Sequence, residues 1–312
     1  MRAIGVTTFG GPEALRVVEL PDPQAEPEQL RIQVHAAAMN PTDIVLRSGA
    51  RAAPLKDMPP PYVPDIDVAE VVKQVEKPAS TELRPNDHVI AIVVPRGSHG
   101  GYAERVVVPA DSATLVPAGA TDVAAATLPM NGLTVRQALD LLALSPGQTL
   151  AVTGAPGAVG GYAVQLGRAA GLRVIADAGP ADEDLVKALG ADVVVRRGGD
   201  FGEQVKAVSP GGADGVVDAA LLNELAIPAV RDGGGLATLR GFRGEPQRGI
   251  AFHPVLVRDY ARERAKLDRL RQQAEAGQVT LRVAAAYSAE RAAEAHRRLE
   301  AGGVRGRLVL EF

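Results

Sequence analysis

The sequence predicts an α/β protein, in which a β-rich N-terminal region is followed by a parallel sheet built from βαβ units. Three observations carry this. Residues 1 to about 122 hold short apolar runs separated by Pro and Gly. From about residue 123, apolar runs alternate with helical patterns closed by glycine. Between them in character is a short apolar run, Gln148–Thr153, that enters the glycine-rich turn Thr153-Gly154-Ala155-Pro156-Gly157-Ala158-Val159-Gly160 and opens a helix.

In order along the chain, Leu30–Ala36 alternates at period two and reads as a half-buried strand; Val68–Val75, His88–Val94 and Tyr102–Val108 read as further strands. Proline clusters at 21–27 and 59–64 rule out helix and mark loops, so this region suggests a small barrel or sandwich. Val123–Leu144 is helical in composition, with a break near Pro129 and Asn131-Gly132. Ala158–Ala170 is a helix closed by Gly171, and Asp182–Leu189 a helix closed by Gly190. Strands are expected at Arg173–Ala176, Asp192–Val195, Gly215–Asp218 and Gly235–Leu239. In the tail, the charged helix Arg262–Ala276 ends at Gly277, and a strand is expected near Val279–Ala284. The helix Ala289–Ala301 has Ser288 as its expected N-cap, and Arg307–Leu310 closes the chain as a strand.

A chain of 312 residues has room for two domains with separate cores. Its 46% hydrophobic and 23% charged residues are ordinary for a globular protein. A net charge of -3 gives no reason to expect a nucleic-acid or anionic-membrane partner. With 3% aromatic residues and no Trp, base stacking has few platforms. Without cysteine there are no disulfides, thiolate zinc sites, Fe–S clusters or Cys nucleophile. His35, His88, His99, His253 and His296 show no ligand-like spacing, so no metal is expected. The N-terminus has no apolar signal core, and no run approaches the ~20 apolar residues of a membrane helix. A cytoplasmic protein is the expectation.

The glycine turn is the feature that carries chemistry. Gly157 and Gly160 would let the backbone approach a pyrophosphate, and the helix behind them offers N–H groups and a partial positive charge. Asp177, about 20 residues on at a strand end, is placed to bind the ribose hydroxyls of NAD. Arg196 and Arg197, closing the next strand, could instead hold the 2′-phosphate of NADP.

Several motifs, in order, resemble the zinc-independent quinone oxidoreductase branch of the medium-chain dehydrogenase/reductase superfamily. Ala36-Ala37-Ala38-Met39-Asn40-Pro41-Thr42-Asp43 is similar to A-A-G-x-N-P-x-D, and Pro61-Tyr62-Val63-Pro64-Asp65-Ile66-Asp67-Val68-Ala69 to P-F-x-P-G-x-D-x-A. Gly100-Gly101-Tyr102-Ala103-Glu104 is similar to G-G-x-A-E, and Ala124–Thr134 to A-A-x-L-P-x-x-G-L-T. The glycine turn is similar to A-x-G-G-V-G, and Gly303–Leu310 to G-x-x-x-G-K-x-V-L.

The resemblance implies a GroES-like β-rich catalytic domain of residues 1–122 and 258–312 and a Rossmann domain of residues 123–257, a doubly wound parallel sheet, with the active site in a cleft between them. It implies hydride transfer from a nicotinamide to a small-molecule quinone or α,β-unsaturated carbonyl. Zinc-dependent relatives have Cys where Asn40 stands and His-Glu near Ile66-Asp67, so no metal is implied here. By resemblance, Asn40 and Asp43 line the nicotinamide side, with Asn40 donating to a substrate or carboxamide oxygen; Tyr62 is a phenolic donor or a packing residue; Thr134 contacts the nicotinamide end; and Arg305, Gly306 and Arg307 bring the tail near the cofactor. Loops 48–60 and 241–253 would shape the substrate pocket. Asp65 and Glu70 replace family glycines. The customary Lys of the loop after the second Rossmann strand falls among Asp182, Glu183 and Asp184, which argues against NADP, whereas Arg197 at a Tyr position argues for it. The balance favours NADP(H) over NAD(H). A homodimer is implied by resemblance alone. An enoyl-thioester reductase and a non-catalytic NADP(H)-binding sensor or structural protein are the competing readings.

Overall fold

Leu30, Ile32 and Val34 are buried while Arg31, Gln33 and His35 are partly exposed, so the period-two alternation seats one face of this segment on a core. The computed structural model describes residues 1–50, 52–55, 57–76 and 81–312. In chain order the elements are β1 (Arg2–Gly5), β2 (Arg16–Glu19), β3 (Gln29–Ala38), α1 (Pro41–Arg47), β4 (Asp67–Val75), β5 (His88–Ile92), β6 (Arg105–Pro109), β7 (Ala113–Leu115), α2 (Asp122–Ala125) and α3 (Pro129–Leu142). There follow β8 (Thr149–Thr153), α4 (Ala158–Ala169), β9 (Arg173–Ala178), α5 (Glu183–Ala188), β10 (Val193–Arg196), α6 (Phe201–Val208), β11 (Ala213–Asp218), β12 (Val230–Thr238) and β13 (Ala251–Pro254). The tail holds α7 (Arg264–Glu275), β14 (Val283–Ser288), α8 (Ala292–Glu300) and β15 (Arg307–Glu311).

The chain separates into two units. One comprises Met1–Met130, Ala261–Glu275 and Leu281–Phe312; the other comprises Asn131–Tyr260 and Ala276–Thr280. In the first unit a sheet runs β14-β15-β3-β4-β5-β7, and β6 pairs with β3 as well. β15 lies antiparallel to Ala36–Ala38 of β3, while β6 lies antiparallel to Gln29–Gln33. The core under this sheet contains Leu30, Ile32, Val34, Val68, Val72, Val89, Tyr102, Leu308 and Leu310. Gly100 and Gly101 of the G-G-Y-A-E motif pack on the loop before β4. A Cβ on Gly100 would stand 2.1 Å from the Val63 carbonyl oxygen, and one on Gly101 would stand 2.4 Å from Asp65 Oδ2.

In the second unit six strands run in the order β10-β9-β8-β11-β12-β13, all parallel. Counted from β8, this is the doubly wound order 3-2-1-4-5-6, and the order reverses between β8 and β11. All five residues of β8 are buried, as expected of a strand covered on both faces. Among the described residues, no helix is long and apolar enough to cross a membrane.

Some boundaries differ from the sequence expectation. The break expected near Pro129 falls at 126–128, between α2 and α3, and Pro129 is the first residue of α3, where its missing N–H has no helical acceptor to lose; α3 then runs on through Asn131 and Gly132. The tail strand expected at Val279–Ala284 lies at Val283–Ser288. The preceding residues are held elsewhere: Gln165 of α4 donates to Thr280 Oγ1 at 2.8 Å and accepts from the Thr280 N–H at 3.2 Å. β1, β2, α1, β7, α6 and β13 were not expected. Arg51 and Lys56 of the expected pocket loop lie outside the described residues.

Glu70 is fully buried on β4, and neither carboxylate oxygen has a hydrogen-bond partner among the described residues. Burial, with the charge of Asp122 adding to it, holds its carboxyl well above the ordinary range. A carboxyl whose folded-state pKa is raised destabilises the fold as pH rises from the unfolded value through the folded one. Glu70→Leu is therefore expected to raise the unfolding free energy at neutral pH by about 1–4 kcal/mol. It should also flatten the loss of stability as pH rises above the ordinary carboxylate range in urea denaturation. An unchanged pH dependence would count against a buried, unpaired Glu70.

Candidate active site

The glycine turn lies at the carboxyl end of β8, where the strand order reverses. Gly154 has φ +66°, a left-handed conformation open to glycine without strain. A Cβ on Gly160 would stand 2.2 Å from the Gly154 carbonyl oxygen, so glycine alone lets the first turn of α4 close onto the turn. Gly157 is the N-cap of α4, and Gly157, Ala158 and Val159 are partly exposed at the helix head, while Ala155, Pro156 and Gly160 are buried. Thr153 Oγ1 donates to Asp218 Oδ1 at 2.6 Å and accepts from the Ala220 N–H at 2.9 Å, tying the end of β8 to that of β11. A glycine turn at a helix head, closed this tightly, fits a pyrophosphate.

Asp177 and Arg197 meet beside this turn. Asp177 is 2% exposed; its Oδ1 accepts the Ala155 N–H at 3.0 Å, and its Oδ2 lies 3.4 Å from Arg197 Nε. The carboxylate thus braces the turn instead of presenting free oxygens to a ribose diol. The Arg197 side chain remains 44% exposed. Arg196 points elsewhere: it is 75% exposed and lies 3.6 Å from Asp200. The two arginines, adjacent in sequence, do not converge.

The expected residues of the first unit also collect, but in the interior. Asn40 caps α1 and is fully buried. Its amide nitrogen donates to the Ala38 carbonyl and to Asp67 Oδ2, both at 2.9 Å, so its two hydrogens are taken. Oδ1, an acceptor, has no hydrogen-bond partner among the described residues. The expectation that Asn40 donates outward is corrected accordingly. Asp43 Oδ2 accepts the Asn40 backbone N–H at 2.6 Å and the Tyr102 hydroxyl at 3.2 Å. Burial, with Asp67 adding its charge, pushes the Asp43 carboxyl up to about 7 despite these hydrogen bonds and Arg307. Tyr62 stacks on Phe9 at 5.0 Å between centroids and donates its hydroxyl to the Met58 carbonyl at 2.9 Å, a packing geometry.

Arg307 is 5% exposed and donates to the Ala38 carbonyl at 2.7 Å and to Asp67 Oδ2 at 3.1 Å. It is a core cation rather than a solvated tail residue. Gly306, at φ +125°, has no room for a Cβ, which would stand 2.6 Å from the Arg282 carbonyl oxygen. Arg305 is exposed, and Thr134 is buried in α3. Sequence reasoning missed Asp67 as the center of this network, and it missed Tyr102 and His296. His296 Nε2 lies 3.3 Å from the Tyr102 hydroxyl; burial, aided by the nearby charge of Arg47, pushes its pKa down to about 3, so the ring is neutral at pH 7. Asp65 is 1% exposed at φ +87°, which explains why a glycine suits that position. Burial and the neighbouring Asp43 and Asp67 hold its carboxyl well above the ordinary range.

A doubly wound sheet with a glycine cradle at its switch point, in a chain that also carries a GroES-like β unit, is the build of a nicotinamide-dependent oxidoreductase. Residues 26–118 match the alcohol dehydrogenase GroES-like domain, and residues 189–310 match a zinc-binding dehydrogenase family. Quinone-oxidoreductase QR1, a chloroplastic protein of Triphysaria versicolor, is 32% identical over 227 residues, which are 70% of this chain and 68% of that protein. The crystal structure of an NAD-dependent alcohol dehydrogenase superposes with TM-score 0.87 at 30% identity, covering 100% of both chains. A mycobacterial structure complexed with NADPH superposes with TM-score 0.86 at 26% identity, again covering 100% of both. The chain belongs to the quinone oxidoreductase branch of the medium-chain dehydrogenase/reductase superfamily.

Two substitutions test this geometry. Gly160→Ala is expected to push the turn open and abolish quenching in fluorescence titrations with NADPH and NADH; titration curves unchanged from the parent would contradict the cradle. Arg307→Met leaves Asp67 buried without its cation and is expected to destabilise the protein by about 3–5 kcal/mol in chemical denaturation, with part recovered on adding Asp67→Asn.

Proposed function

We propose that this chain is a reductase that uses NADPH in preference to NADH to transfer hydride to a quinone or an α,β-unsaturated carbonyl, without zinc. The observation that carries the proposal is the glycine cradle at the switch point with Arg197 beside it. When bound, the nicotinamide supplies the hydride. The turn Gly154–Gly160 seats the pyrophosphate at the head of α4, where N–H groups of the first helical turn face it; the Ala155 and Gly157 N–H groups are already bonded to Asp177 and Gly154. Arg197, anchored through Nε by Asp177, offers its remaining guanidinium nitrogens to a 2′-phosphate. Because Asp177 is occupied by Ala155 and Arg197, it is a poor acceptor for the ribose hydroxyls, which supports NADPH.

Asn40 and Asp43 are positioning residues in this reading: they fix the start of α1. Tyr62 packs. A zinc ion does not fit the Asn40, Ile66 and Asp67 positions. The Asn40 amide nitrogen has no lone pair to give, Ile66 has no donor, and the Asp67 carboxylate is already paired with a guanidinium. β13 ends the six-stranded sheet with one edge unpaired among the described residues, which supports a homodimer formed through that edge.

NADPH oxidation measured with a panel of benzoquinones, enones and crotonyl-type thioesters tests the proposal. Turnover on quinones or enones is expected; turnover on the thioester alone would favour an enoyl-thioester reductase, and binding without turnover a dinucleotide sensor. Arg197→Ala is expected to weaken NADPH binding by about 1.5–3 kcal/mol, the range for a charge-assisted hydrogen bond, or about 10- to 100-fold in Kd. NADH affinity should stay the same. Equal losses for both cofactors, or none, would sink the assignment of the phosphate to Arg197.

A further inference from the structure

His35, His88 and Asp122 are separated in sequence, but the β unit brings them together. β4 runs between β3 and β5, pairing with both. In the β3–β4 ladder Val34 faces Glu70 and Ala36 faces Ala69, so His35 is the extra residue of a β-bulge. Bulges re-aim side chains. His88 is the first residue of β5, and Asp122 the first residue of α2. His35 Nδ1 lies 2.8 Å from Asp122 Oδ2, and His88 Nδ1 lies 3.2 Å from Asp122 Oδ1. One ligand atom from each of the three residues lies within 4.8 Å of the others. The two imidazoles are edge to face, with centroids 6.2 Å apart.

Each backbone is anchored. The His35 carbonyl accepts from the Phe312 N–H at 3.1 Å, and the His88 carbonyl from the Val116 N–H at 2.9 Å. Thr121 caps α2, its Oγ1 accepting from the Ala124 N–H at 3.2 Å. The His35, His88 and Asp122 side chains are 39%, 56% and 19% exposed, so the group opens to solvent. It shares no residue with the glycine cradle or with the Asn40, Asp67 and Arg307 network.

We propose that His35, His88 and Asp122 form a binding site for a late first-row divalent cation such as zinc(II), nickel(II) or cobalt(II). Ligands held about 2.0–2.2 Å from a tetrahedral ion stand roughly 3.3–3.6 Å apart; the ring nitrogens lie 2.8 and 3.2 Å from the two oxygens of Asp122, so a small outward rotation of the side chains reaches that spacing. Two imidazoles and one carboxylate favour these ions over magnesium or calcium. The ion would take the place of the proton between each ring and the carboxylate: a neutral imidazole moves its hydrogen from Nδ1 to Nε2, a charged one keeps the hydrogen on Nε2 and releases the other to solvent, and each binds through the freed Nδ1. A fourth position faces water. The ion would tie β3 to β5 and α2 across β4, and because it binds the folded chain it would stabilise that unit in proportion to its occupancy.

The test uses the purified full chain after chelator treatment. Calorimetric titration with zinc(II) is expected to show one ion per chain, with a rise in Tm that EDTA reverses. Cobalt(II) should give a visible ligand-field band on stoichiometric addition. His35→Gln and His88→Gln are each expected to weaken zinc binding by about tenfold or more. Both positions are partly exposed, so the metal-free Tm should change little. Absence of stoichiometric binding and of the cobalt band in the unaltered chain would overturn the proposal. So would a zinc-induced Tm rise of the same size in the His35→Gln/His88→Gln double variant.

Discussion

The buried pair of Arg307 and Asp67 is the interaction on which the β unit depends. Asp67 is fully buried and receives hydrogen bonds from Arg307, from the Asn40 amide and from the Met130 backbone. Through these, one carboxylate joins β4, β15, the start of α1 and the start of α3. Asp43 and Asp65 lie close enough to add their charge, and Arg307 is the cation that acts on Asp43 and Asp67. One guanidinium cannot balance three carboxylates in a low-dielectric interior. The raised pKa values of Asp43 and Asp65 follow, and the cluster holds protons near neutrality instead of holding full charge.

The second unit rests on a comparable economy. Asp177 bonds to Ala155 inside the turn and orients Arg197 outside it. A residue type that usually marks ribose recognition is used here to hold a backbone and aim a cation. The same carboxylate therefore serves the shape of the cradle and its charge.

Much of this was legible in the sequence. The parallel sheet followed from apolar runs alternating with glycine-closed helices, though its strand order did not, and the turn at 153–160 named the cradle. Burial reversed several roles. Arg307 was expected, by resemblance, to bring the tail near the cofactor; the antiparallel pairing of β15 with β3 sends it into the core instead. Asn40 was expected to donate outward, but Ala38 and Asp67 take both hydrogens, and no local pattern announces partners 27 residues apart. His35 and His88 have no ligand spacing in sequence because a bulge on one strand and the start of another bring them together. The substitution of glycine by Asp65 was visible; its left-handed φ and its burial were not.

The β unit is assembled from segments on both sides of the α/β unit, and its sheet is completed by β14 and β15. During synthesis the chain emerges from its N-terminus, and domains fold as units as they appear. The α/β unit is almost wholly contiguous and can close while the tail is still being made. Arg307 follows Asp67 by 240 residues, so Asp67 gains its buried cation only after the α/β unit has been made. Until it arrives, the acids of the cluster have no internal cation and remain hydrated. The last strand both fills the sheet and supplies the buried cation on which Asp67 rests.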